Sequence, residues 1–175
     1  MPKNIIVSAC LAGVKCRYDG GSNENKDIVD LVNSGKAVTV CSECLGGLPT
    51  PRVSCEIQWL SKDEKPKSVE DLLSIDKSIV LKAEGKKRYV VNKEGIDCTK
   101  EFEFGAKRAL DIAKIHNAKI AILQERSPSC GCGKIYDGTF SKNLIEGKGL
   151  TAELFEENGI KVCNINNYQK HLNNE

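Results

Sequence analysis

Aromatic residues are scarce, at 5% of 175 residues, so the interior has to be packed mainly from Ile, Val, Leu and Ala. Charge of one sign is lacking too. The 26 basic and 24 acidic residues leave a formal charge of +2, too weak a field to argue for duplex nucleic acid or a membrane surface. No run approaches the roughly 18 apolar residues that cross a bilayer. The apolar stretch in MPKNIIVSACLAG alternates like a strand and is too brief for a secretory core, so cytoplasmic residence is the default expectation. No internal repeat or low-complexity linker divides the chain, and its length predicts one domain over residues 1–175.

Against these absences stand nine cysteines. In a reducing compartment, cysteines at close spacing point to metal binding or thiol chemistry before a disulfide framework, and an odd number leaves one unpaired in any all-disulfide scheme.

The hydrophobic pattern alternates strand and helix. A β-branched strand is predicted at 4–8, a helix at 26–33 stopped by Ser34-Gly35, and a strand at 37–40. Residues 41–56 carry two glycines and two prolines and read as an irregular loop. Strands at 78–83 and 87–91 are predicted to form a hairpin through EGK, and the polar stretch 62–71 a surface loop. A long helix follows Thr99 as its cap, then the apolar strand AKIAIL at 118–123. A helix capped by Thr151 and a short strand at 160–164 come last. Continuous apolar strands alternating with helices predict an α/β fold with a mostly parallel sheet and helices on both faces. Ligands in such sheets sit beyond the carboxyl ends of the strands, and Cys10, Cys41 and Cys130 each fall at or just past such an end.

If those three strands are neighbours, three thiolates meet at one centre, a pattern suited to an iron–sulfur cluster with one metal position lacking a protein ligand. Gly46, Gly47, Gly131 and Gly133 are expected to let backbone N–H groups approach sulfur. Burial alone is the plainer reading of any single cysteine, and it is the one kept for Cys55, Cys98 and Cys163. Cys16, Cys44 and Cys132 lie close enough in sequence to the main three to substitute for one of them or to serve as a fourth ligand. The pair in CSEC, 41–44, also has the spacing of zinc knuckles and redox dithiols. No second C-x-x-C accompanies it, His116 and His171 fall in helical or terminal stretches, and LGGLPTPR is a poor helix start for a redox pair. A zinc-stabilised or thiol-rich binding module without catalysis, contacting RNA, is the rival reading from a different class. Glu43 in its Gly/Pro loop suits a general acid/base near a metal, against a solvated loop carboxylate. Ser127 suits a proton or hydrogen-bond donor to substrate, against simple turn capping before Pro128. Arg17, Asp19 and Arg52 are expected on the same rim, in a salt-bridge scaffold.

With VSACLAGVKCRYDGGSN, VCSECLGGLPTPR, FGAKRAL and RSPSCGCGKIYDGTF, the chain resembles the bacterial YbbK-like family, whose characterised relatives are thiouracil desulfidases, from Val7 to Val162. The resemblance implies a compact, single-domain Rossmann-like α/β fold and a 4Fe-4S cluster held by Cys10, Cys41 and Cys130 with one iron free. It implies Glu43 and Ser127 as the catalytic residues. The activity implied is non-redox removal of sulfur from a thiolated pyrimidine, giving the oxo base and sulfide. Relatives that act on thiolated tRNA carry a further domain, so a free nucleobase or nucleoside is expected in preference to tRNA. Ser42 stands where the family has proline and Gln124 where lysine is common, while Cys16 and Cys132 are additional thiols.

Overall fold

The computed structural model describes residues 4–172. Its strands are β1 (Ile5–Ser8), β2 (Ala37–Val40), β3 (Cys55–Leu60), β4 (Lys87–Asn92), β5 (Ile120–Ile122), β6 (Lys134–Tyr136), β7 (Leu144–Glu146) and β8 (Lys161–Cys163). The helices are α1 (Lys26–Asn33), α2 (Ser42–Leu45), α3 (Val69–Leu73), α4 (Thr99–Ile115), α5 (Leu150–Glu157) and α6 (Gln169–Leu172), with 3-10 turns at Ala9–Ala12 and Lys77–Val80. No helix among the described residues is long and apolar enough to cross a membrane.

The central sheet has the order β2-β1-β5-β8, and every pairing in it is parallel. Because successive side chains of a strand point to opposite faces, Ile6 and Ala121 pack with Ala109, Ala113 and Phe155 of α4 and α5. Val7, Ile120 and Ile122 pack on the other face with Ile28 of α1 and Tyr168. Helices therefore cover both faces, as the continuous apolar strands predict. The ends of the strands are level: Ser8 lies opposite Val40, and Val7 opposite Ile122.

Two antiparallel ribbons, β3–β4 and β6–β7, stand outside this sheet and depart from the sequence expectation. β3 begins inside the stretch read as irregular. Its polar residues Glu56 and Gln58 are buried, so the usual reading of polar as outward hides the strand. The predicted hairpin of 78–83 with 87–91 does not form. Asp76 accepts a hydrogen bond from the Ser78 N–H at 3.0 Å and starts a 3-10 turn there, and β4 pairs with β3 instead. Within 62–71, the side chains of Ser68 and Asp71 each bond the other's backbone amide and so begin α3.

Two predicted caps are displaced, by one position in α4 and by two in α5. Thr99 is already inside α4, which Cys98 precedes as N-cap. The Asp97 carboxylate accepts from the Thr99 N–H at 2.9 Å, and Thr99 Oγ1 accepts from the Val90 N–H at 3.0 Å. Thr151 lies inside α5 behind Gly149, and its hydroxyl reaches Ser42 Oγ at 2.8 Å, tying α5 to α2. Against α4, α2 packs closely: a Cβ on Gly105 would lie 1.8 Å from the Ser42 carbonyl oxygen. Only glycine permits that approach.

Candidate active site

Three loops leave the carboxyl edge of the sheet in the same direction. β1 ends at Ser8 and turns at once through Ala9–Ala12, burying Cys10. β2 ends at Val40, and Cys41 becomes the N-cap of α2, a single turn closed by Gly46. After β5 the chain passes Leu123 and Gln124, and the Gln124 N–H donates to Ser8 Oγ at 2.9 Å. The 127–130 segment then folds back on itself. Ser127 Oγ accepts from the N–H groups of Ser129 and Cys130, both at 3.1 Å, which fixes the turn before the buried Cys130.

A cavity of about 580 Å³ opens between these loops, and Cys10, Cys41 and Cys130 all line it, as do Glu43 and Ser127. Cys16 lines it too, whereas Cys44 and Cys132 do not. Cys55, read as bland, forms part of the wall. The Cys41 thiol donates to the Cys16 carbonyl at 3.9 Å, and chiefly the neighbouring Cys10 thiol pushes Cys16 up to about 11. Cys41 is raised strongly by its contact with Cys16 and by burial. Burial also pushes Cys130 up to about 11, although Ser8 and Ser129 beside its sulfur act the other way. The CSEC motif does begin a helix, with Cys41 as the N-cap of α2.

The donor set fits an iron–sulfur centre. It is soft sulfur set around one cavity, at a site where bound metal charge is what makes thiolates favourable. Among the described residues no three His, Cys, Asp or Glu side chains form a group suited to a single metal ion. A cluster, which places its own irons and sulfides between its ligands, calls for thiols distributed around a cavity. The expected role of the glycines is not what the structure displays. The N–H groups of Gly46, Gly47 and Gly131 donate to the carbonyls of Ser42, Cys44 and Ser127. That of Gly133 donates to Glu125 Oε1 at 3.0 Å. The Glu125 carboxylate also accepts from the Cys132 N–H at 2.7 Å and from Asn164 Nδ2 at 3.1 Å, and it organises the loop that follows Cys130.

Glu43 is not a solvated loop carboxylate. Its Oε2 accepts from Arg52 Nε at 2.7 Å and lies 2.6 Å from Nη2. Its Oε1 accepts from Ser129 Oγ at 3.0 Å and faces Ser127 Oγ at 3.5 Å, and the two serine hydroxyls are 2.7 Å apart. Arg52 also donates through Nη2 to the Cys16 carbonyl at 2.8 Å, and its backbone N–H donates to the Tyr18 carbonyl at 2.8 Å. The PTPR segment is thereby bound to the RYDGG loop, where Arg17 pairs with Asp19 at 3.1 Å. Arg52 is the scaffold cation anticipated from sequence; Ser129 was missed, although its place beside Cys130 in SPSC was the available signal.

Glu56 was missed as well. It lines the cavity from β3, outside the parallel sheet. Its Oε2 accepts from the N–H groups of Gly138 and Phe140, both at 3.0 Å. Burial pushes its carboxyl up to about 7; those two amides and Lys93 oppose the shift, and Asp137 adds to it.

The sequence profile of the 2-thiouracil desulfurase family matches residues 5–167 of this chain. The uncharacterized protein YbbK of Bacillus subtilis (strain 168) is 40% identical over 162 residues, which cover 93% of this chain and 95% of that relative. Among solved structures, the 4Fe-4S-dependent thiouracil desulfidase TudS is similar with a TM-score of 0.75 and 34% identity, over 96% of this chain and 94% of that one.

Proposed function

The chain belongs to the 2-thiouracil desulfurase family, and from that premise we propose that it is an iron–sulfur enzyme that hydrolyses the carbon–sulfur bond of a thiolated pyrimidine base. The reaction exchanges a thiocarbonyl and water for a carbonyl and hydrogen sulfide; the carbon keeps its oxidation level, and no electron donor is needed. The observation that carries this reading is that Cys10, Cys41, Cys130 and Glu43 line one cavity.

Cys10, Cys41 and Cys130 are the residues that would hold a 4Fe-4S cluster. Held by three cysteines, it supplies one iron without a protein ligand, a Lewis acid with affinity for the exocyclic sulfur of the base. The protein's own residues supply the rest. Glu43, held on one oxygen by Arg52, positions a water on its serine-facing side and takes a proton from it as the oxygen attacks the ring carbon. Ser127, paired with Ser129, relays that proton to the departing sulfur as the carbon–sulfur bond breaks. A cavity of about 580 Å³ suits a free base or a nucleoside, and we take these in preference to tRNA. Free thiols at all nine cysteines accord with a reducing cytoplasm.

Anaerobic reconstitution with iron and sulfide, followed by measurement of sulfide released from thiouracil, tests the reading. About four irons and matching acid-labile sulfide per chain are expected, with stoichiometric conversion to uracil; one tightly held zinc and no turnover would support the binding-module reading instead. Glu43→Gln should retain the cluster and lose turnover by roughly 10²–10⁴-fold. Unchanged turnover removes Glu43 from the chemistry.

A further inference from the structure

Three carboxylates line the cavity: Glu43, Glu56 and Glu125. Two of them have both oxygens engaged. Glu43 is held by Arg52 on one side and by Ser129 and Ser127 on the other. Glu125 takes the amides of its own loop on Oε1 and Asn164 on Oε2. Glu56 differs. The N–H groups of Gly138 and Phe140 both go to Oε2, and no described residue donates to Oε1. That oxygen is also absent from the sealed, unpartnered side-chain atoms, which are Trp59 Nε1 and Glu101 Oε2. Glu56 thus lines the cavity with one oxygen, Oε1, that takes no donor from the described residues.

Its position is set by backbone and not by a mobile partner. Gly138 adopts φ +91°, and a Cβ there would lie 2.4 Å from the Ile57 carbonyl oxygen, so the loop after β6 rests directly on β3. Gln58 Nε2 donates to the Gly138 carbonyl at 3.1 Å, reinforcing the same contact. In its ionised form, which prevails above about pH 7, a carboxylate held in this way is an acceptor without donor character.

We propose that Glu56 is the residue by which this site recognises a uracil-type ring, its Oε1 accepting the hydrogen bond of the ring N3–H while the thiocarbonyl lies toward the cysteines. The assignment rests on the desulfidase reading for its substrate class. N3 distinguishes the two pyrimidine types: it carries hydrogen in a thiouracil and is a bare acceptor in a thiocytosine. It also stays protonated whether N1 bears hydrogen or a sugar, so one contact serves base and nucleoside alike. A buried acceptor rejects a ring that offers no hydrogen there, because two acceptors are then left facing each other.

Glu56→Gln separates this from a purely structural role. The amide oxygen stays on the Gly138 and Phe140 N–H groups, and the NH₂ then faces the cavity, turning an acceptor into a donor within nearly the same shape. With the reconstituted protein, Glu56→Gln should raise KM for 2-thiouracil about 10–100-fold while kcat and iron content change little. Its preference for 2-thiouracil over 2-thiocytosine should shrink or invert. The unaltered protein supplies a second arm that does not depend on any variant folding: 3-methyl-2-thiouracil should bind at least about 10-fold more weakly than 1-methyl-2-thiouracil. An unchanged KM and substrate preference in the variant, or equal binding of the two methylated bases, overturns the assignment. Calorimetric binding of uracil keeps the two readings apart. Sulfide release failing while uracil binds tightly to the reconstituted protein and weakly to Glu56→Gln sinks the desulfidase reading alone. Binding of uracil by neither protein sinks both.

Discussion

Arg52 and Glu43 form a nearly buried ion pair, 2.6 Å between Nη2 and Oε2, with only 6% and 13% of the two side chains exposed. Removing one member of such a pair leaves the other charged and without its partner, which costs about 3–5 kcal/mol. Arg52→Met should lower the urea midpoint accordingly and abolish turnover. Arg52→Lys keeps the charge but loses the fork that spans Glu43, the Cys16 carbonyl and Thr50, so it should recover only part of the stability. Equal stability of all three proteins would show that the pair holds nothing in place.

Cys16 is the nearest competitor for a ligand role, since it lines the cavity and touches both Cys10 and Cys41. Alanine at 10, 41 or 130 should each remove the brown absorption of the reconstituted protein, and Cys16→Ala should leave it. Iron and acid-labile sulfide analysis decides the matter: a full cluster in Cys41→Ala with a lost one in Cys16→Ala would exchange their roles.

The parallel sheet and its cysteine-bearing ends were legible because strand, helix and turn signals agreed. Residues 5–8 and 37–40 are rich in β-branched side chains, 26–33 has a clean apolar face, and Cys10, Cys41 and Cys130 fall where the strand patterns stop. The ribbons were not legible. In β3 the buried residues Glu56 and Gln58 are polar because their partners are loop backbone groups around residues 67 and 138, a relation far apart in sequence. The same cause hid the surroundings of Glu43. Its residue type and spacing marked it, but Ser127 and Ser129 reach it only after the 127–130 segment has folded against the 41–56 stretch that holds Glu43 and Arg52.

Gly105 is where α4 admits α2, the turn that carries Glu43 and follows Cys41. A methyl group there would sit 1.8 Å from the Ser42 carbonyl oxygen, against backbone that cannot rotate away. Gly105→Ala should therefore cost more than the usual ~1–3 kcal/mol of overpacking and reduce iron incorporation with it. Glu103→Ala, on the exposed side of the same helix, should change the unfolding free energy by less than about 0.5 kcal/mol. Matching urea midpoints for the two variants would mean that α2 can shift freely.

The Glu56 carboxyl makes the protein's stability depend on pH in a defined direction. Burial raises it from 4.5 to about 7, with Asp137 adding to the shift and Lys93 and the Phe140 and Gly138 amides opposing it. The folded chain thus binds this proton more tightly than the unfolded chain does. The contribution is fully present below about pH 4.5 and is lost as pH rises through about 7. A shift of this size corresponds at full extent to roughly 3–4 kcal/mol, of which roughly 2–3 kcal/mol falls between pH 5 and pH 8. Glu56→Gln cannot titrate, so in urea unfolding at pH 5 and pH 8 the difference in stability between the two proteins should move in the variant's favour at the higher pH by about that amount. Parallel pH profiles for the two would place the Glu56 titration near that of an ordinary carboxylate.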